Sequence, residues 1–227
     1  MIINGFQKVT LLDYPGKIAC MIFTSGCNFM CSYCQNSSLI KKGKVSLISE
    51  EEIIDYLKKR KNLIDGIVIS GGEPTVQIGL IDFIKKIKEL KVQIKLDTNG
   101  YRPDVLKELL ENNLIDYVAM DIKNTFDDYP KLCGLKSVDA NLIKKSINIL
   151  KNSNVDYEFR TTIIKEHHTI DKIKEIIKLI GDSKYFLQNF ESSADVMDKS
   201  LTSFSEDELN LIKKELVNYS NVTVRGL

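Results

Sequence analysis

"DGIVISGGEPT", residues 65–75, followed by "IGLIDFIKKIKELK", residues 78–91, decides the fold. The first stretch is a strand running into a glycine turn. The second carries apolar residues at helical spacing. Together they make one strand–helix unit of about 30 residues, the length of a βαβ step. The same alternation repeats on both sides. Upstream, "KIACMIFTS" (17–25) reads as a buried strand and "SEEEIIDYLKKRKN" (49–62) as a helix capped by Ser49, with acids in its first turn. Downstream, strands are expected at "VQIKLDTNG" (92–100), "IDYVAMDIKN" (115–124), "VDYEFRTTII" (155–164) and "KYFLQNF" (184–190). Helices are expected at "RPDVLKELLENN" (102–113), "DANLIKKSINILKNS" (139–153), "TIDKIKEIIKLIGD" (169–182) and "SEDELNLIKKELVNYS" (205–220). Pro103 stands near a helix start, where proline is tolerated, and Gly181 stops a helix. "NVTVRGL" (221–227) is a candidate last strand.

About six βα units in series imply an α/β fold, a parallel sheet with helices outside. An N-terminal β segment with a "YPGK" turn precedes them. Six units are fewer than the eight of a closed barrel. The expectation is therefore a partial, open β/α barrel, with a flat doubly wound sheet as the alternative. No composition shift marks a linker, so residues 1–227 are expected to form a single domain.

The bulk composition excludes several classes. The 227 residues are 43% hydrophobic, enough for a large core, and 28% charged, ordinary for a soluble protein. The net charge of +1 gives no bulk signal for nucleic acid or an anionic membrane. No apolar run approaches a membrane span, and the start lacks the features of a signal peptide. A cytoplasmic location is expected. Five cysteines is an odd number, and no disulfide framework is expected in such a chain.

"SGCNFMCSYCQNS", residues 25–37, holds Cys27, Cys31 and Cys34. Structural zinc wants four ligands, commonly from two paired knuckles, and here there is no second knuckle. Cys20 lies in a strand, where a small buried hydrophobe is the simplest reading. Cys133 stands alone in a loop. A cubane iron–sulfur cluster fits better. It is normally held by four thiolates, so three leave one iron open. In an enzyme that open iron is a binding site, by the logic of catalytic zinc. The other polar motifs, "SGGEP", "DTNG", "DIKN" and "LQNF", fall at strand C-terminal ends, the edge that carries active sites in parallel α/β folds.

The C-x3-C-x2-C spacing, with Tyr33 before the third cysteine, resembles the signature of radical S-adenosylmethionine enzymes. "SGGEP" after the next strand is similar to their glycine-rich motif. "YCQN", "DTNG" and "DIK" narrow the resemblance to activating enzymes of glycyl radical enzymes. "FQKVTLLDYPGK" is most similar to the type that activates anaerobic ribonucleoside-triphosphate reductase. The match runs from about residue 3 to 190 and is densest before 125.

The resemblance implies that Cys27, Cys31 and Cys34 ligate a 4Fe-4S cluster whose open iron chelates S-adenosylmethionine. Reductive cleavage would give a 5′-deoxyadenosyl radical, which takes a hydrogen atom from a glycine of a partner enzyme. It further implies cofactor contacts from the Tyr33 backbone, Asn36, Gly71, Gly72, Glu73 and Lys123. Asp97, Thr98 and Asp121 resemble a monovalent-cation site. Asp13 would line the substrate entrance, and Arg160 would be a plain strand charge or a group facing cofactor or partner. The implied partners are a glycyl radical enzyme, the anaerobic ribonucleotide reductase first, and a flavodoxin- or ferredoxin-like electron donor. No nucleic acid or membrane is implied.

Simpler readings stand beside these. "GGEP" alone would be a turn, and Asn99–Gly100 is a strong turn dipeptide. Asp121 and Lys123, two apart on a strand, share a face and would pair in any case. His167 and His168 are expected in an exposed loop, outside the catalytic set. Gln188 and Asn189 read as structural amides. Three other functions remain: a pyruvate formate-lyase-type activase, a radical enzyme acting on a small molecule or peptide, and a non-catalytic iron–sulfur electron carrier.

Overall fold

The computed structural model describes residues 1–40 and 47–225. Eight strands form one sheet in strictly sequential order: β1 (Ile3–Thr10), β2 (Ala19–Thr24), β3 (Gly66–Gly71), β4 (Gln93–Thr98), β5 (Tyr117–Asp121), β6 (Asp156–Ile163), β7 (Tyr185–Asn189) and β8 (Val222–Arg225). β1 runs antiparallel to β2, and every later pair is parallel. The sheet ends at β1 and β8, so the barrel is open. A doubly wound sheet reverses its order at a switch point. Sequential order removes that alternative and leaves the expected partial barrel.

Each parallel step needs a crossover, and helices supply them. These are α1 (Glu50–Lys59), α2 (Leu80–Glu89), α3 (Pro103–Glu111), α4 (Tyr129–Leu132), α5 (Ala140–Lys151), α6 (Ile170–Ile180) and α7 (Glu206–Glu215). Their caps follow the sequence. Ser49 accepts from the Glu52 N–H at 3.0 Å, and Ser205 forms a capping box with Glu208. Among the described residues α4 is the one unexpected helix; it occupies the loop expected to hold Cys133 in isolation. Gly226 and Leu227, the end of the expected last strand, lie outside the described residues. Among the described residues no helix is long and apolar enough to cross a membrane.

Alternation along the strands divides the core. Ile67, Ile69, Ile94, Leu96, Val118, Met120 and Phe159 are fully buried in the main core with Phe83, Ile87, Leu109 and Ile173 of the helices. The other strand face carries a small second cluster, Ala19, Met21, Val68 and Tyr117, closed by Tyr14 of the β1–β2 hairpin. The Tyr14 and Tyr117 rings lie 5.9 Å apart. Gly66 makes room for Tyr14, since a Cβ there would stand 2.8 Å from its ring. Gly66 and Tyr117 begin their strands, so this aromatic plug seals the N-terminal end of the barrel. The opposite end is left for chemistry.

Candidate active site

The cysteine loop leaves the end of β2 and folds over the C-terminal ends of the strands. Gly26 N–H donates to Leu39 O at 2.6 Å, and Cys27 N–H to Ile40 O at 3.1 Å. Met30 N–H donates to Cys133 O at 2.8 Å, which ties the loop to α4. The β3 turn lies directly beneath. Gly72 N–H donates to Thr24 O at 2.8 Å and Glu73 N–H to Gly26 O at 2.9 Å. A Cβ on Gly72 would stand 2.2 Å from Gly26 O, so only glycine allows this approach. Residues 191–198 strap the loop from above. Asp198 N–H donates to Ser32 O at 3.0 Å, Gln35 Nε2 to Glu191 O at 2.9 Å, and Ser38 Oγ to Asp195 Oδ2 at 2.9 Å.

These elements enclose a cavity of about 220 Å³. Cys27, Cys31, Tyr33, Cys34, Asn36, Gly71, Gly72, Glu73, Asp97, Thr98, Asp121, Lys123 and Arg160 all line it. Asn99, Thr162 and Gln188 line it as well. Asp13 does not. It sits in the β1–β2 hairpin at the other end of the sheet, accepting from Thr10 Oγ1 at 2.5 Å. The expectation that it borders this mouth is not met, because the hairpin turns at the strand N-termini.

The thiols are the chemistry of the cavity. Burial pushes Cys27 up to about 12 and raises Cys34 as well. Cys31 goes the other way and is lowered, chiefly by the neighbouring Cys133 thiol. Cys133 is fully buried and is held protonated by the same contact. Its apparent isolation in the sequence is thus replaced by direct contact with a site thiol. Lys123 favours the thiolate form of all three site cysteines. Among the described residues no three Cys, His, Asp or Glu side chains converge on one ion position. Asn28 adds a buried Nδ2 with no hydrogen-bond partner beside Cys27, a free donor of the kind that cluster sulfur accepts. The residues present fit a three-thiolate cluster.

Opposite the thiols lies a charge network. Asp121 accepts from Lys123 Nζ at 3.0 Å and from Arg160 Nε at 2.9 Å. Burial opposes its ionisation, yet Arg160 and Lys123 hold it down at about 2. Asp97 pairs with Lys95 and, at 3.5 Å, with Arg160 Nη1. Of the cations in this network, Lys123 and Arg160 line the cavity. Asp97 and Asp121 are already compensated by the protein, and Thr98 turns away to donate to Glu73 at 2.7 Å. These three do not fit the expected monovalent-cation site. The Lys123 and Arg160 head groups at the cavity wall suit a carboxylate. Glu73 is 1% exposed and accepts from Thr75 N–H, Thr75 Oγ1, Thr98 Oγ1 and Asn99 N–H, so it locks the β3 turn to the β4 turn.

His168 departs from its expected exposure. It is 2% exposed. Ile164 N–H donates to Nδ1 at 3.0 Å, and Nε2 lies 2.9 Å from Lys123 O. No local pattern marks it; the Lys123 carbonyl it meets is 45 residues away.

A family model described as the radical SAM superfamily matches residues 21–180. The chain belongs to the radical SAM superfamily. Within it, a protein of Methanocaldococcus jannaschii, provisionally named a glycyl-radical enzyme activating enzyme, is 36% identical over all of this chain and 96% of its own length. The pyruvate formate-lyase-activating enzyme of Clostridium pasteurianum is 31% identical over 78% of this chain and 76% of its own. The chain therefore groups with the glycyl-radical enzyme activating members of the radical SAM superfamily, whose cofactors are a 4Fe-4S cluster and S-adenosylmethionine. Solved structures share the fold. A radical SAM methyltransferase from Sphaerobacter thermophilus superimposes with a TM-score of 0.75 at 14% identity, covering 96% of this chain and 68% of that one. SuiB of Streptococcus suis bound to S-adenosylmethionine gives a TM-score of 0.72 at 16% identity, covering 89% of this chain. This chain spans about half, 49%, of the SuiB chain.

Proposed function

We propose that this radical SAM protein activates a glycyl radical enzyme by removing a hydrogen atom from a glycine of that partner, and that the partner is an anaerobic ribonucleoside-triphosphate reductase. The observation that carries the reading is the cavity itself. Three thiols with Lys123 as a common cationic neighbour line it together with the Lys123–Asp121–Arg160 network. Cys27, Cys31 and Cys34 would hold the cluster. When bound, cluster and S-adenosylmethionine supply the electron transfer and the carbon-radical chemistry. The chain's own residues do the rest. Backbone carbonyls of the Gly71–Gly72 turn meet the amino group of the cofactor. Lys123 and Arg160 meet its carboxylate. Tyr33 and Asn36 border the nucleoside side. The strap over the cysteine loop excludes water. The open sheet leaves a lateral way in for a glycine-bearing loop of the partner. The "LDYPGK" start favours the reductase as partner, and the matched Clostridium pasteurianum protein keeps pyruvate formate-lyase as the second.

The test is anaerobic reconstitution with iron and sulfide, then reduction in the presence of S-adenosylmethionine. Release of 5′-deoxyadenosine is expected, and its loss in Cys31→Ala. A glycyl radical signal by electron paramagnetic resonance is then expected on added reductase, and not on pyruvate formate-lyase. A full, reducible cluster without cofactor cleavage would leave an electron carrier. A radical on the lyase alone would exchange the partner.

A further inference from the structure

We infer that His168 and Tyr129, neither of which borders the cavity, are positioning residues that hold the Lys123 main chain so that its ammonium faces the carboxylate of the cofactor. The inference rests on the proposed role of Lys123.

Strand β5 ends at Asp121, Ile122 N–H makes one last ladder bond to Arg160 O at 2.8 Å, and from Ile122 O onward side chains take over as partners of the backbone. A buried backbone group still needs one. Side chains from elsewhere provide them. Thr161 Oγ1 donates to Ile122 O at 2.6 Å. Lys123 N–H donates to Tyr129 Oη at 3.1 Å. Lys123 O accepts from His168 Nε2 at 2.9 Å. Both main-chain groups of Lys123 are thus held by side chains of other elements.

The His168 tautomer follows from its neighbours. Ile164 N–H can only donate, so Nδ1 must accept, and the proton sits on Nε2. That proton is the one given to Lys123 O. The ring is neutral, since a second proton on Nδ1 would face the Ile164 N–H. One imidazole therefore ties the end of β6 to the Lys123 main chain with fixed polarity. Tyr129 does the same from α4, whose next turn holds the cysteine loop through Cys133 O. Its ring lies 6.3 Å from that of Phe29 in the cysteine loop. The thiol wall and the Lys123 wall are thereby referenced to one bracket.

The ammonium needs such support. Lys123 Nζ is shared between Asp121 at 3.0 Å and the face of Tyr33, with 5.8 Å to the ring centroid. A flexible four-carbon stem does not choose between these by itself. Fixing the main chain on both sides removes much of that freedom before the cofactor arrives.

Asn and Gln separate the two ring nitrogens. His168→Asn keeps an acceptor near the Nδ1 position and loses the donor to Lys123 O. His168→Gln keeps a donor near the Nε2 position. The full-length chain, anaerobically reconstituted, is titrated with S-adenosylmethionine and with its decarboxylated analogue. Wild type is expected to prefer the carboxylated form, and Lys123→Met to lose that preference. His168→Asn is expected to lower the preference about tenfold, the scale of one hydrogen bond, while His168→Gln retains it. Amide exchange of residues 122–124 in the cluster-free chain is expected to rise in His168→Asn and not in His168→Gln. If Lys123→Met abolishes the preference but His168→Asn keeps it, the positioning role is wrong and the reading of Lys123 stands. If Lys123→Met keeps it, that reading is wrong and the inference goes with it. Equal loss in Asn and Gln variants would mark His168 as packing only. Should His168→Asn fail to load a cluster, Tyr129→Phe carries the comparison, with the same fall expected and an unchanged preference overturning the inference.

Discussion

Glu73 accepts four hydrogen bonds inside the protein, three of them on one oxygen. Replacing it with glutamine puts an NH2 group against a donor at one of these contacts. Glu73→Gln is expected to destabilise the chain by about 1–3 kcal/mol in denaturant titration, the cost of a buried unsatisfied group. His168 gives the pH counterpart. Burial pulls it from 6.5 to about 4. The unfolded chain therefore binds a proton there that the folded chain does not. Stability is expected to be whole above about pH 6.5 and to fall as pH drops towards 4, by on the order of 3 kcal/mol from this group. His167 is lowered as well and adds in the same direction. Urea titrations between pH 7 and 5 check it, and His168→Gln should flatten the slope. The sequence made the three site cysteines, the two turns and the Asp121–Lys123 pair visible, because each is a local pattern with fixed spacing. His168, Tyr129 and Cys133 were invisible for the opposite reason. His168 and Cys133 reach Lys123 and Cys31 only through the tertiary fold, and Tyr129, six residues beyond Lys123, has no periodic spacing to mark it.

The strand-end turn of β3 is where secondary structure becomes a site. Gly71 adopts φ +115°, and an added Cβ would stand 2.2 Å from Thr24 N. Gly72 has no positive φ but meets Gly26 O just as closely. In both cases the neighbour is backbone and has little freedom to yield. Gly72→Ala is expected to push the cysteine loop off the turn. Iron content after reconstitution should fall well below that of wild type, with a stability loss of about 1–3 kcal/mol, the usual range for overpacking. Equal iron loading in Gly72→Ala would show that the loop moves independently of the turn. At this scale most elements were legible. Periodicity marked six of the seven helices among the described residues, and the apolar runs marked the parallel strands. Helix α4 was missed because four residues with a proline carry no periodicity. The pairing partner of β1 was equally unreadable, since an edge strand declares its neighbour only in the assembled sheet.

The whole molecule separates a stability end from a chemistry end. The aromatic plug closes the strand N-termini, and the cavity opens at the C-termini. Tyr14→Ala should therefore cost about 3 kcal/mol, as for other buried aromatics, yet leave the affinity for S-adenosylmethionine within about twofold. A loss of affinity matching that of Lys123→Met would refute the separation. The open barrel was legible from the count of units, whereas the direction in which its plug and cavity face needed the hairpin placed. Contact distance along the chain has one further consequence. The strap reaches the cysteine loop across 156 to 158 residues. At the ribosome Cys34 therefore emerges long before the segment that shelters it. At the usual elongation rate the interval is on the order of 10 to 30 s. During that time the three thiols are open to oxidants and stray metals. Safe maturation then depends on a reducing surrounding, or on loading the cluster only after synthesis is complete.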